Sequence, residues 1–350
     1  MKVAVVVGTR PEIIKMAPII RELKDFYVIH TGQHYDYSMD EIFFEQLKLD
    51  KPKYRLDVGS CPPGEQLAKI ISGTEKVLQI EKPDIILSYG DTNTALGSAL
   101  AGVKAMVKVG HVEAGLRSYD MNMPEEVNRI LVDHCSDILF TPTFDTCSHL
   151  IDDGINIKLI QVVGNTIVDA VYQNLKLATE GIDIGRKPYA LVTLHRQENV
   201  DNPKRFLDIM TGLNLVSKRH NLVCIYPIHP RSEKMMKRFS IAQGDVVLMP
   251  PRDYFSFLCL EKNAKVILTD SGGIQEEACI MGVPCVTLRD NTERPESVKV
   301  GANRVSGTNP QDILRCAIEA LESKKGWKNP YGDGNTGKRI VKILEEKYGK

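Results

Sequence analysis

The sequence has no CxxC pair, although its 350 residues include eight cysteines, at 61, 135, 147, 224, 259, 279, 285 and 316. That scatter argues against a zinc site and against a disulfide framework, and it leaves reduced, mostly buried thiols in a cytoplasmic protein as the expectation. Excess charge of one sign is missing too, since 45 basic and 45 acidic residues cancel to a formal net charge of zero. Bulk attraction to nucleic acid or to a membrane surface is therefore disfavoured, while a local basic cleft stays open. No apolar run approaches membrane-spanning length. The opening MKVAVVVGTRPE is too short in apolar residues for a signal peptide and reads as a first strand.

Nicotinamide chemistry loses its signature as well. The first strand–helix turn, GTRPE, holds a single glycine where a dinucleotide fingerprint needs three. Gly332-Asp-Gly-Asn-Thr-Gly337 fits that fingerprint by letter and, with Lys338, nearly fits a phosphate loop. Its context fails: no apolar strand precedes it, and Arg339 stands where Ser or Thr would hold magnesium. It reads as a helix-entry loop.

At this length a single core is exceeded and two domains are expected, with 43% hydrophobic and 26% charged residues in the ordinary soluble range. Short β-branched runs alternate with amphipathic stretches throughout: VAVVV (3–7), YVIHT (27–31), DIILSY (84–89), VKVGHV (107–112), DILFT (137–141) and KLIQVV (158–163). A second series follows, YALVTLH from residue 189, then LVCIYPI, DVVLM, KVILT and PCVTL. Such alternation predicts an α/β protein with two doubly wound parallel sheets, Rossmann-like, facing across a ligand cleft at the strands' carboxyl ends. The junction is placed in the Gly- and Pro-ended segment 168–188, giving domains 1–168 and 169–335. A last helix, 336–350, is expected to return to the first domain.

Several strand exits carry chemistry. Gly8-Thr9-Arg10-Pro11-Glu12 puts the Arg10 fork at a helix N-terminus, a natural diphosphate clamp with Lys15 nearby. Asp91, in GDTNT, follows another strand and is explained equally well as an N-cap. Glu113, in HVEAGLR, leaves the next strand between small residues, where a surface charge has no evident purpose. Glu125, in MPEEVNR, opens a helix and is favoured there by the helix dipole in any case. His195, in LHRQEN, ends the first strand of the second series. Arg294, in RDNTERPE, sits in a charged rim loop.

Thr269-Asp-Ser-Gly-Gly-Ile-Gln-Glu-Glu-Ala278 poses a puzzle, because its glycines suit a phosphate and its two carboxylates do not. On a helix starting at Ile274, apolar 274, 278 and 281 form the buried stripe, Glu276 faces water opposite it, and Glu277 borders it. Ser271, Gly272 and Gly273 would then meet phosphate while Glu277 meets ribose hydroxyls, which describes a nucleoside-diphosphate site.

Taken together and in order, GTRPE, TGQH, GDTNT, HVEAGLRS, MPEEVNR, LHRQEN, HPR, TDSGGIQEE and RDNTERPE resemble the non-hydrolysing UDP-N-acetylglucosamine 2-epimerases over essentially the whole chain. The resemblance implies a GT-B-like pair of Rossmann-like domains and a homodimer, with no cofactor, metal, nucleic acid or membrane involved. It implies UDP on the second domain, with Ser271, Gly272 and Gly273 on phosphate, Glu277 on ribose and Phe257 beside uracil. Arg10, Lys15, His195 and Arg294 join the diphosphate and sugar site, and Asp91, Glu113, Glu125 and His195 are the activity-critical positions. Arg252 departs from relatives carrying Gln, and His229 in IHPR keeps an open role. TGQH (31–34) is where a second, activating substrate would be sought. The implied reaction eliminates UDP to 2-acetamidoglucal and adds it back on inverted C2, supplying ManNAc-type sugars for glycan synthesis. Alternatives are a hydrolysing epimerase releasing UDP and ManNAc, a GT-B glycosyltransferase, or a nucleotide-sugar sensor without turnover.

Overall fold

The computed structural model describes residues 1–32, 43–178 and 188–349. Two compact units divide the chain: Met1–Gln173 together with Tyr331–Lys350, and Asn174–Pro330.

The first unit contains β1 (Val3–Val7), β2 (Phe26–His30), β3 (Tyr54–Arg55), β4 (Ile85–Tyr89), β5 (Lys108–Val112), β6 (Ile138–Thr141) and β7 (Ile160–Val162). They form one parallel sheet in the order β3-β2-β1-β4-β5-β6-β7. Every residue of β1 is buried, as a central strand covered on both faces must be, and its unbroken β-branched run is the sequence signature of that position. The helices Pro63–Glu81 and Asn93–Lys104 cover one face through Val77, Leu78, Leu96 and Ala99 against Val6 and Ile86.

The second unit contains β8 (Tyr189–Thr193), β9 (Val223–Pro227), β10 (Val247–Met249), β11 (Val266–Thr269), β12 (Cys285–Thr287) and β13 (Asn303–Val305). Their order is β10-β9-β8-β11-β12-β13, again all parallel. Its core joins Val192, Phe206, Leu213, Val266, Leu268 and Ile313. The helices Pro203–His220 and Pro310–Glu322 start on Asn202 and Asn309, whose side chains accept first-turn N–H groups and have Pro next in line. Of the thirteen strands among the described residues, β3 and β13 escape the sequence reading. Two residues in one case and Asn-Arg-Val in the other are too short and too polar to show a period, and both lie at sheet edges.

In a doubly wound sheet, ligands bind beyond the carboxyl ends of the strands where the order reverses. Here those places are β1/β4 and β8/β11. The loops leaving these four strands carry Gly8–Glu12, Gly90–Thr92, His195–Arg196 and Asp270–Gly273. The helix Thr336–Tyr348 belongs to the first unit, where Asp169 accepts the N–H groups of Thr336 at 3.1 Å and Gly337 at 2.9 Å. That carboxylate already serves the helix N-terminus which the Gly332–Gly337 pattern would have lent to a phosphate.

Candidate active site

At the first switch point a buried carboxylate joins two loops. Glu12, 3% exposed, accepts the N–H of Gly8 at 2.6 Å and of Thr9 at 2.8 Å, and the hydroxyl of Thr92 across the switch. Burial raises its pKa to about 7 against the lowering effect of those bonds. Gly8 has no alternative, since a Cβ there would lie 2.2 Å from both Thr31 Oγ1 and Thr94 Oγ1. Arg10 is exposed at the first position of the helix Arg10–Ile20.

Asp91 and Glu113 leave the paired strands β4 and β5 with different supports. Asp91 is partly exposed and receives Arg129 Nη2, while Asn128 Nδ2 donates to its backbone carbonyl at 2.9 Å. Arg129 is itself braced by Glu126, which also accepts the N–H groups of Ser118 and Tyr119, each at 2.9 Å. Burial pushes Glu126 up, but these donors and the Arg129 charge leave it below the usual carboxylate range. The helix Asn93–Lys104 is capped by Thr92, whose Oγ1 accepts from Ala95 N at 3.2 Å, so Asp91 is not the cap. Glu113 adopts φ +67°, a left-handed conformation that a branched-free but Cβ-bearing residue enters at a cost of about 1 kcal/mol. Its carboxylate meets Lys15 Nζ at 2.9 Å and the Tyr89 hydroxyl, and Lys15 also stands 5.5 Å from the Tyr89 ring centre. Glu125 stands exposed on the first turn of the helix Pro124–Cys135, and its carboxylate makes no hydrogen bond or ion pair among the described residues. On β5, His111 places Nδ1 2.6 Å from Asp133 and Nε2 2.9 Å from the Gly90 carbonyl, fixing the loop that carries Asp91.

In the second unit the helix Gly272–Met281 begins at β11's exit with Ser271 at its N-cap position. Its first-turn N–H groups have no intrahelical acceptor. Gly272 and Gly273 have negative φ, and a Cβ would meet only Glu293 Oε2 at 3.8 Å in the one case and nothing within 4 Å in the other. Neither backbone conformation nor crowding by the protein calls for glycine here. Two glycines in succession leave this stretch of backbone bare of side chains at the helix N-terminus. Glu277 is buried, with the Tyr254 hydroxyl 3.5 Å away. Phe257 is half-buried on the helix Tyr254–Asn263, and Arg252, just before it, is exposed with no hydrogen bond among the described residues. His195 is half exposed, its Nδ1 3.1 Å from Asp270. Arg294 lies 2.7 Å from Glu276.

A family model described as UDP-N-acetylglucosamine 2-epimerase matches residues 20–345. The chain belongs to the UDP-N-acetylglucosamine 2-epimerase family. It is 49% identical to the UDP-N-acetylglucosamine 2-epimerase of Methanocaldococcus jannaschii over all of both chains, and 49% identical to that of Methanococcus maripaludis over 98% of each. A crystal structure of the M. jannaschii enzyme in complex with UDP-GlcNAc and UDP matches 99% of this chain and 100% of its own with a TM-score of 0.88. The fold class is GT-B-like. It extends to the Anabaena protein HepE, solved with UDP and glucose, at a TM-score of 0.66 and 15% identity, a likeness of fold alone.

Two expectations about the epimerase need correction. Its SGG helix starts at Gly272 instead of Ile274, and Glu276 does not face water. Glu276 is 1% exposed because the loop carrying Arg294 covers that side and pairs with it. Glu12, Tyr89, Arg129, His111 and Asp270 went unassigned in the sequence. Only Glu12 left a local trace there, the Thr-x-x-Glu spacing of a capping box. His229 finds a structural place as N-cap of the helix Pro230–Arg238, its Nδ1 accepting from Arg231 N at 3.2 Å. Gln33 and His34 of TGQH lie outside the described residues.

Proposed function

We propose that the second unit holds UDP while the first supplies the proton-transfer groups, and that together they invert C2 of UDP-GlcNAc to give UDP-ManNAc, reversibly. The chain is a UDP-N-acetylglucosamine 2-epimerase. C2 has no neighbouring carbonyl to acidify its proton, so breaking the anomeric C–O bond comes first or in concert. As the bond electrons leave with the β-phosphate, C1 becomes oxocarbenium-like and the C2 proton becomes acidic. In the α-gluco substrate that proton lies antiparallel to the leaving oxygen. A base removes it to give 2-acetamidoglucal, a second group protonates C2 from the opposite face, and UDP returns to C1.

The observation that carries this reading is the pair of glycines at the helix N-terminus that nothing in the protein requires. Phosphate against Ser271, Gly272 and Gly273 explains them, with ribose on Glu277 and uracil beside Phe257. Arg10, Lys15, His195 and Arg294 stabilise the departing diphosphate. Asp91, Glu113 and Glu125 are the acid–base candidates. Asp91 is held by Arg129 and Glu113 by Lys15 and Tyr89, so each carboxylate is oriented on its own support. Arg252 contributes through its backbone. The enzyme works without added cofactor, as a cytoplasmic homodimer, and its product feeds glycan assembly. Incubation with UDP-GlcNAc alone tests the reading: UDP-ManNAc is expected by proton NMR. Stoichiometric free ManNAc and UDP would instead identify a hydrolysing enzyme, and no turnover a sensor. Asp91→Asn and Glu113→Gln should abolish turnover while still binding UDP.

A further inference from the structure

Among the described residues, the groups that hydrogen-bond to the Asp270 carboxylate are all N–H donors. Asp270 is fully buried; Oδ2 accepts from Arg196 N at 3.0 Å and Asn199 Nδ2 at 3.2 Å, and His195 N spans both oxygens at 3.1 and 3.2 Å. The remaining approach, at Oδ1, is taken by His195 Nδ1 at 3.1 Å. Glu12 does the equivalent task in the first unit, one buried carboxylate tying together the two loops of a switch point. Asp270 differs in that one of its neighbours is a titratable ring. That ring is half exposed, and its Nε2 makes no hydrogen bond among the described residues.

Resting on the UDP reading above, we propose that Asp270 is a positioning residue that holds His195 with its proton on Nδ1 and so presents Nε2 to the diphosphate. An acceptor-only carboxylate selects the protonated nitrogen. Nδ1 stands 3.1 Å from Oδ1, and a small turn of the ring brings the Nδ1–H into line with the carboxylate. Any further proton the ring takes then goes to Nε2, the nitrogen that faces the departing phosphate oxygens.

Asp270→Asn tests this. Its oxygen must keep the Oδ2 place, where Arg196 and Asn199 donate, so its NH2 group faces His195 and requires Nδ1 to become an acceptor. Long-range proton–nitrogen correlation on 15N-histidine protein at pH 9 reads the tautomer, with the His195 signals assigned from their loss in His195→Gln. The wild type should show Nδ1–H, and Asp270→Asn should show Nε2–H. Turnover of UDP-GlcNAc should fall about 100-fold, with KM changed less than about threefold. Asn199→Ala, which removes one donor without touching the ring, should lower the melting temperature and keep the Nδ1–H tautomer. A wild-type Nε2–H tautomer overturns the proposal even if the variant fails to fold. So does an Asp270→Asn protein with wild-type kcat. If the wild type shows Nδ1–H yet does not epimerise UDP-GlcNAc, the functional reading fails and this role falls with it.

Discussion

Replacing Glu12 by Gln should make the protein more stable at neutral pH, by an amount fixed by where Glu12 titrates. The carboxyl is fully buried, and its pKa rises from 4.5 to about 7 in the fold. A raised acid favours folding fully below its unfolded value, and that contribution is lost as pH climbs through the folded one. Each pH unit of that interval is worth about 1.4 kcal/mol, so the loss by pH 8 is about 3 kcal/mol. Gln can satisfy the same neighbours. Its oxygen accepts from Gly8 and Thr9, and its NH2 donates to Thr92 Oγ1, which rotates to accept. Glu12→Gln should therefore match the wild type near pH 4.5, gain about 1.4 kcal/mol per pH unit above it, and plateau near 3 kcal/mol above pH 7. Urea unfolding by circular dichroism at pH 5, 6, 7 and 8 measures this. Trp327, the single tryptophan and a residue of the second unit, reports by fluorescence whether the gain is confined to the first. A difference independent of pH, or a loss at every pH, would refute the reasoning.

Glu261 is fully buried with neither carboxylate oxygen hydrogen-bonded among the described residues, and burial followed by the charge of Glu277 pushes its pKa well up. Glu261→Leu should therefore raise stability at pH 8 by about 1–3 kcal/mol, with the gain shrinking towards pH 4, below the unfolded value of 4.5, where the wild-type group is protonated in both states; melting temperatures at the two pH values decide. Lys15→Met removes the cation beside Glu113 and should cost about 3 kcal/mol, together with at least a tenfold loss of kcat, seen in denaturant midpoints and initial rates. A loss below 1 kcal/mol would mean that Glu113 is held otherwise. Gly273→Ala adds a methyl group that meets no protein atom within 4 Å, so stability should hold or rise by about 0.5 kcal/mol while UDP affinity falls at least tenfold by calorimetry. Unchanged affinity would move the phosphate elsewhere.

The sequence made the two sheets legible because central parallel strands are buried on both faces and read as unbroken apolar runs, as β1 does. Edge strands β3 and β13 carry no such run. Candidate groups at strand exits were legible by type and place, since a carboxylate after a strand stands out. Their partners were not. Arg129 reaches Asp91 from 38 residues away and Lys15 reaches Glu113 from 98, contacts that only the topology creates. Glu276 misled for a related reason: helical periodicity locates one buried stripe, and a loop from elsewhere in the chain buried the opposite side.

The central claim is that UDP leaves and returns while protein groups exchange the hydrogen on C2. Running UDP-GlcNAc to equilibrium in heavy water, without nicotinamide, and examining the product by NMR and mass spectrometry tests it most directly. The account predicts UDP-ManNAc carrying deuterium at C2. UDP-ManNAc that keeps its original C2 hydrogen through complete epimerisation would contradict it.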